Sequence, residues 1–128
     1  MISNKVVLSF KDGTVLKGLT SDFFPNKNDF HITSENDEII TVIMEDLKAV
    51  FFVKDYAGDK SRKDVYEDDI PGGGRKIYIK FKDNEEITAF CQGYSSSRPG
   101  FFVVPADKKG NNERIYIISS ATAEVKFL

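Results

Sequence analysis

The chain is short of the residues that most often carry chemistry. Its 128 residues include one cysteine, one histidine, two methionines and no tryptophan. A lone Cys91 cannot close an intramolecular disulfide, so nothing calls for an oxidising compartment. Cys91 and His31 together cannot supply the ligands of a zinc site. Asp68, Asp69 and Asp107 offer oxygen ligands, but no calcium-loop spacing surrounds them. No metal or cofactor is therefore expected. No apolar run approaches the roughly 18–20 residues that span a bilayer as a helix. Met1-Ile2-Ser3-Asn4-Lys5 enters a strand pattern directly, with no signal-peptide signature. A soluble, cytoplasmic protein is the expectation. A surplus of positive charge is missing too. The formal net charge is -2, which works against bulk binding to a phosphate backbone.

What the chain does have is apolar residues, 41% of the total, enough to build a packed core. Eleven phenylalanines point to a core filled by that residue. It also has an internal repeat. Lys5–Ser34 aligns without a gap to Lys76–Pro105, at an offset of 71. Phe10-Lys11-Asp12 returns as Phe81-Lys82-Asp83. Glu38–Val53 aligns to Glu113–Leu128 at an offset of 75, so the second copy is four residues longer, all of them within Ala106–Asn112. Two blocks in the same order, with coincident apolar positions, argue for duplication.

Each copy carries the same strand signals. Val6, Leu8 and Phe10 alternate with Val7, Ser9 and Lys11, as a half-buried strand should. Asp12-Gly13 and Asp83-Asn84 mark tight turns. Glu45–Lys48 and Ser119–Ala123 read as single 3₁₀ turns before a fifth strand. The expected fold is all-β: two tandem five-stranded SH3-like or Sm-like barrels at residues 1–53 and 76–128, joined by a polar, glycine-ended linker at 54–75. About 50 residues make a marginal core, so the two units are expected to pack together. The surplus apolar residues Phe23, Phe24, Phe51 and Val53 are suited to burial between the barrels, or in a homodimer.

The first copy resembles the first Sm motif at Gly13, Gly18, Leu19, Phe23 and Asn28. Phe24 stands where Sm proteins usually carry Asp, and the second motif's Arg-Gly or Lys-His pair is missing. Over nearly its whole length the chain resembles an uncharacterised bacterial domain family, found alone or beside PilZ-type signalling domains. The stretches that carry this likeness are Asp22–His31, Asp46–Val53 and Gly100–Tyr116. The resemblance implies a fold and a signalling context. The PilZ nucleotide signature itself does not occur in the sequence, so cyclic-di-GMP binding is not implied.

Candidate site residues fall in three loops, Arg98 lying in the loop before the one that holds Asp107–Arg114. In the second copy, Arg98, Asp107, Lys108, Lys109, Asn111, Asn112 and Arg114 combine cations with amide donors that could meet an anion or an acidic partner. Asn26, Lys27 and Asn28 form the equivalent loop of the first copy. A site is expected on the longer loop or in the seam between copies. His31 lies on the opposite strand face from Phe30 and Ile32, away from any nucleophile, and Cys91 reads as a small buried residue. The sequence points to a non-enzymatic interaction or regulatory module that binds a protein partner. The alternatives are Sm-like RNA binding through Phe23, Asn28 and the basic loops, or sensing of a small ligand or nucleotide.

Overall fold

The alternation of Val6, Leu8 and Phe10 becomes strand β1 (Asn4–Phe10) in the computed structural model, with Val6 and Leu8 fully buried. The structure describes residues 3–53, 74–91, 94, 98–105 and 112–128. After β1 come β2 (Val15–Thr20), β3 (Asp29–Ser34), β4 (Ile39–Ile43), a 3₁₀ turn at Met44–Asp46, and β5 (Leu47–Val53). The second half holds β6 (Arg75–Phe81), β7 (Glu86–Cys91), β8 (Gly100–Pro105), β9 (Asn112–Ile118), a 3₁₀ turn at Ser119–Ala121, and β10 (Thr122–Phe127). Strands β6, β7 and β8 begin and end 71 residues after β1, β2 and β3. The two 3₁₀ turns stand 75 residues apart. The spacing read from the sequence is thus the spacing of the elements. The expected linker lies, except for Gly74 and Arg75, outside the described residues.

The ten strands of the described residues form one antiparallel sheet, in the order β10-β6-β7-β8-β9-β5-β1-β2-β3-β4. The first half runs β5-β1-β2-β3-β4, and the second repeats that order as β10-β6-β7-β8-β9. They meet edge to edge where β5 pairs with β9, from Ala49 opposite Ile117 to Phe52 opposite Arg114. The all-β expectation therefore holds. In place of two separately closed barrels, the strand pairing gives one open sheet with β4 and β10 at its ends. The composition of β5 explains the join. Leu47–Val53 reads LKAVFFV, nearly continuous in apolar residues, and only Phe51 is less than buried. A strand apolar on both faces suits an inner position in a sheet that is covered on both faces.

The two first turns solve one steric problem with different residues. Gly13 adopts φ +91°, and the Asp12 carboxylate accepts the Thr14 N–H at 2.8 Å. Hydrogen bonds from Thr14 hold the Asp12 carboxyl below its usual pKa. In the second half Asn84 takes the left-handed conformation, at φ +74°, and Asp83 accepts the Glu85 N–H at 3.0 Å. Asparagine tolerates that region better than other residues with a side chain. Gly18 has a different reason: a Cβ there would stand 2.6 Å from the Thr33 carbonyl oxygen, so β2 could not approach β3.

One core runs through both halves. Leu8, Phe30, Ile32, Val50 and Phe52 of the first join Ile77, Ile79, Phe81, Val103, Tyr116 and Ile117 of the second in a single buried cluster. Cys91 is part of it, buried as the sequence suggests. Sharing a core gives each half of about 50 residues more buried surface than it could form alone. Among the described residues, no helix is long and apolar enough to cross a membrane.

Candidate functional site

The β5–β9 seam gathers aromatic side chains at one end and an ionic cluster at the other. The aromatic end is centred on Phe23. Its ring packs edge-on against Phe30 at 5.1 Å, Tyr116 at 5.3 Å, Phe52 at 5.4 Å and Phe102 at 6.3 Å between centroids. Phe102 in turn lies 4.9 Å from Tyr116. Edge-to-face pairs of this kind add about 0.5–1.5 kcal/mol each beyond area burial. Three of these rings come from the first half and two from the second. Tyr116 is seated on the backbone of Gly100, where any Cβ would overlap its ring. Burial pushes the Tyr116 hydroxyl pKa up, and the positive charge of Arg98 opposes that rise.

Cations cover this cluster on the solvent side. The Arg114 guanidinium lies 4.4 Å from the Phe52 ring centre and 5.1 Å from that of Phe102. Lys27 lies 5.1 Å from the ring of Phe24, the neighbour of Phe23 in the chain. Phe102 and Phe24 remain 36% and 48% exposed. The result is an aromatic surface with positive charge held over it, suited to a carboxylate-bearing segment that also brings apolar side chains.

The other end of the seam is ionic. Lys48, the buried charge of β5, donates to Asp83 at 2.8 Å and to Glu85, and its ammonium stands 4.6 Å from the Phe81 ring centre. Burial alone would lower the Lys48 pKa. The hydrogen bonds and charges of Asp83 and Glu85 outweigh it and hold the pKa above its usual value. The bond from Lys48 keeps the Asp83 carboxyl below the usual range. Lys11 donates to Ser120 at 2.7 Å and lies 3.6 Å from Glu45. A concavity of about 340 Å³ opens here, lined by Lys11, Lys48, Phe81, Lys82, Asp83 and Ser120. Lys48 and Lys11 are already engaged by carboxylates, so this hollow is poorly placed to take an anion.

The seam brings together only part of what the sequence put forward. Arg98 and Arg114 belong to the aromatic end, and Lys27 stands over Phe24 beside it. Asn26 and Asn28 are exposed in the same turn, and the Asn28 carbonyl accepts the Met44 N–H at 2.8 Å, so its backbone is structural. Asp107, Lys108, Lys109 and Asn111 lie outside the described residues; Asn112 begins β9. Phe102, Tyr116 and Lys48 were not among the expected site residues. One signal for Lys48 was in the sequence, a lysine inside the apolar run DLKAVFFV, which requires buried counter-charges.

His31 is exposed. Its Nδ1 is 2.7 Å from Asp22 Oδ2, and its backbone N–H donates to Asp22 Oδ1 at 2.9 Å. The nearby Thr20 hydroxyl donates to the His31 carbonyl oxygen at 2.9 Å, not to the imidazole. The His31–Asp22 pair ties the start of β3 to the segment that follows β2. Burial raises the Asp22 pKa, but the His31 and Thr20 hydrogen bonds and the His31 charge prevail and bring it below the usual value.

A family model described as a family of unknown function, DUF6982, matches residues 2–128. The chain belongs to that family. No curated protein and no solved structure matches it. Among the described residues of this DUF6982 chain, no group of three or more His, Cys, Asp or Glu side chains is arranged to hold a metal ion.

Proposed function

We propose that this chain is a non-enzymatic protein-interaction module whose partner-binding surface is the aromatic and cationic face over the seam. The observation that carries this reading is Arg114, held over Phe52 and Phe102 while Phe102 stays exposed. Arg98 and Lys27 add positive charge to the same end of a chain whose net charge is -2. A local cationic, aromatic surface on an acidic protein selects an acidic segment with aromatic or aliphatic side chains, while the acidic remainder of the surface repels that segment and steers it to the patch. In the same reading, the matched strand orders and the offsets of 71 and 75 reflect duplication of an Sm-like unit. The resemblance to bacterial domains found beside PilZ-type domains suggests a regulatory setting.

Nucleic-acid binding is supported less well. Phe23, its expected stacking residue, has its ring surrounded by Phe30, Phe52, Phe102 and Tyr116. The test is fluorescence anisotropy with the intact chain. The probes are a peptide alternating Glu with Phe, its Lys-for-Glu counterpart, and U-rich and A-rich oligonucleotides. Saturable binding of the acidic peptide is expected, weakened about tenfold or more by Arg114→Glu. Preferential oligonucleotide binding overturns the proposal. So does thermal stabilisation by a free nucleotide without peptide binding.

A further inference from the structure

The seam inside the chain shows how one half accepts the other: the fifth strand of the first half pairs antiparallel with the fourth strand of the second. The repeat leaves one unused strand of each kind. β4 is the first half's fourth strand, β10 is the second half's fifth, and they are the two ends of the sheet. Among the described residues, no strand pairs with the outer edge of either.

We propose that β4 of one chain pairs with β10 of a second copy, head to tail, in the register of the internal seam. Carrying the pairing of Ala49 with Ile117 and Phe52 with Arg114 across the repeat sets Glu124 opposite Val42 and Phe127 opposite Ile39 of the second copy. The apolar parts are in place. Ile39 is 76% exposed and Ile43 45%, on a strand that carries no charge. At the other edge Tyr94, Phe101 and Phe127 form a cluster in the positions of Phe23, Phe30 and Phe52. Tyr94 lies 4.8 Å from Phe101 and 6.0 Å from Phe127. Phe127 is 38% exposed.

The charges fit as well. β4 is flanked by exposed Asp37 and Glu38 at one end and by Glu45 and Asp46 at the other. β10 is flanked by Arg75, whose guanidinium lies 4.5 Å from the Phe127 ring centre, and at its other end by exposed Lys82. The inferred register brings these ends together. Within the chain Lys11 reaches Ser120, and the repeat translates that contact into Lys82 reaching Glu45 of the second copy. Glu124 and Lys126, the charges on β10, are paired with each other at 2.8 Å, so the strand enters the contact neutral. A head-to-tail contact of this kind generates a ring or an open chain of molecules. Two β4 edges paired with each other would instead set Asp37 against Glu45, like against like.

The test is sedimentation of the full chain over a concentration series. The mean mass is expected to rise above that of one chain as concentration increases. Ile39→Asp, at an exposed position, and Phe127→Asp are each expected to abolish the rise, while an equimolar mixture of the two variants forms dimers through the edges left intact. Lys82→Glu is expected to weaken association about threefold to fivefold and keeps the test open if Phe127→Asp fails to fold. Lys82→Glu with Glu45→Lys in one chain is expected to restore association. A single-chain mass at every concentration overturns the proposal. So does association that survives Ile39→Asp, or dimers of Phe127→Asp alone, the mark of a symmetric β4–β4 contact.

Discussion

β5 and β10 occupy the same place in the two halves, yet they are built for opposite surroundings. β5 has β1 on one edge and β9 on the other, and its sequence LKAVFFV is buried almost throughout. Among the described residues β10 has only β6 beside it, and its sequence TAEVKF alternates apolar residues with charges and is nowhere fully buried. Charges on an edge strand discourage pairing outside a matched register. The difference teaches that two halves can share a strand order while each strand suits its own neighbours. Lys48 is matched by Ala123 and Phe51 by Lys126, so the ionic end of the seam has no counterpart at the free end.

The largest contrast should come from the equivalent rings Phe52 and Phe127. Phe52→Ala empties a buried site shared by both halves and should cost about 3–5 kcal/mol in urea unfolding. Phe127→Ala, at a part-exposed edge, should cost about 1 kcal/mol or less. Equal losses would mean that the seam is no better packed than the open end. The first turns give a smaller contrast. Gly13→Ala forces a Cβ into positive φ and should cost about 1–2 kcal/mol, whereas Asn84→Gly should leave the melting temperature unchanged or raise it.

The smallest effect concerns the ionic end. Asp83→Asn keeps the turn but removes one counter-charge of Lys48, and should cost about 0.5–1 kcal/mol at pH 7. The sign with pH follows from the shift. The folded pKa of Asp83 lies below 3.8, so its contribution is complete above 3.8 and is lost as pH falls through the lower folded value. The gap between wild type and variant should therefore close in strong acid, as read by unfolding at a series of pH values. In base, the raised Lys48 pKa keeps that side's contribution complete below 10.5 and removes it as pH rises through the higher folded value.

Much of this fold could be read from the residues because the signals were local. Alternation around Val6, Leu8 and Phe10 and the dipeptides Asp12-Gly13 and Asp83-Asn84 fix strands and turns within a few residues. The offsets of 71 and 75 read from the sequence are also those between β1–β3 and β6–β8 and between the two 3₁₀ turns. The joining of the halves into one sheet was not readable, since it depends on β5 meeting β9 far along the chain. The nearly continuous apolar run of β5 hinted only that something would cover its second face. The candidate site was partly legible. Arg98, Arg114 and Lys27 stood out as cations near loops, but Phe102 and Tyr116 looked like ordinary core residues. Their role comes from the neighbours that the seam gives them.

The pairing of Ala49 with Ile117 also governs the order in which the molecule can be made. On a ribosome, β1 to β5 emerge well before β9. Until β9 arrives, the first half lacks the strand that covers Phe52 and Phe23, and a long loop must close before that cover is in place. Such late, non-local pairing slows folding and leaves apolar surface open to other chains in the meantime. The seam is therefore the step at which folding of the first half depends on synthesis of the second. Substitutions in β9 should lower the yield of folded protein through the half they do not belong to.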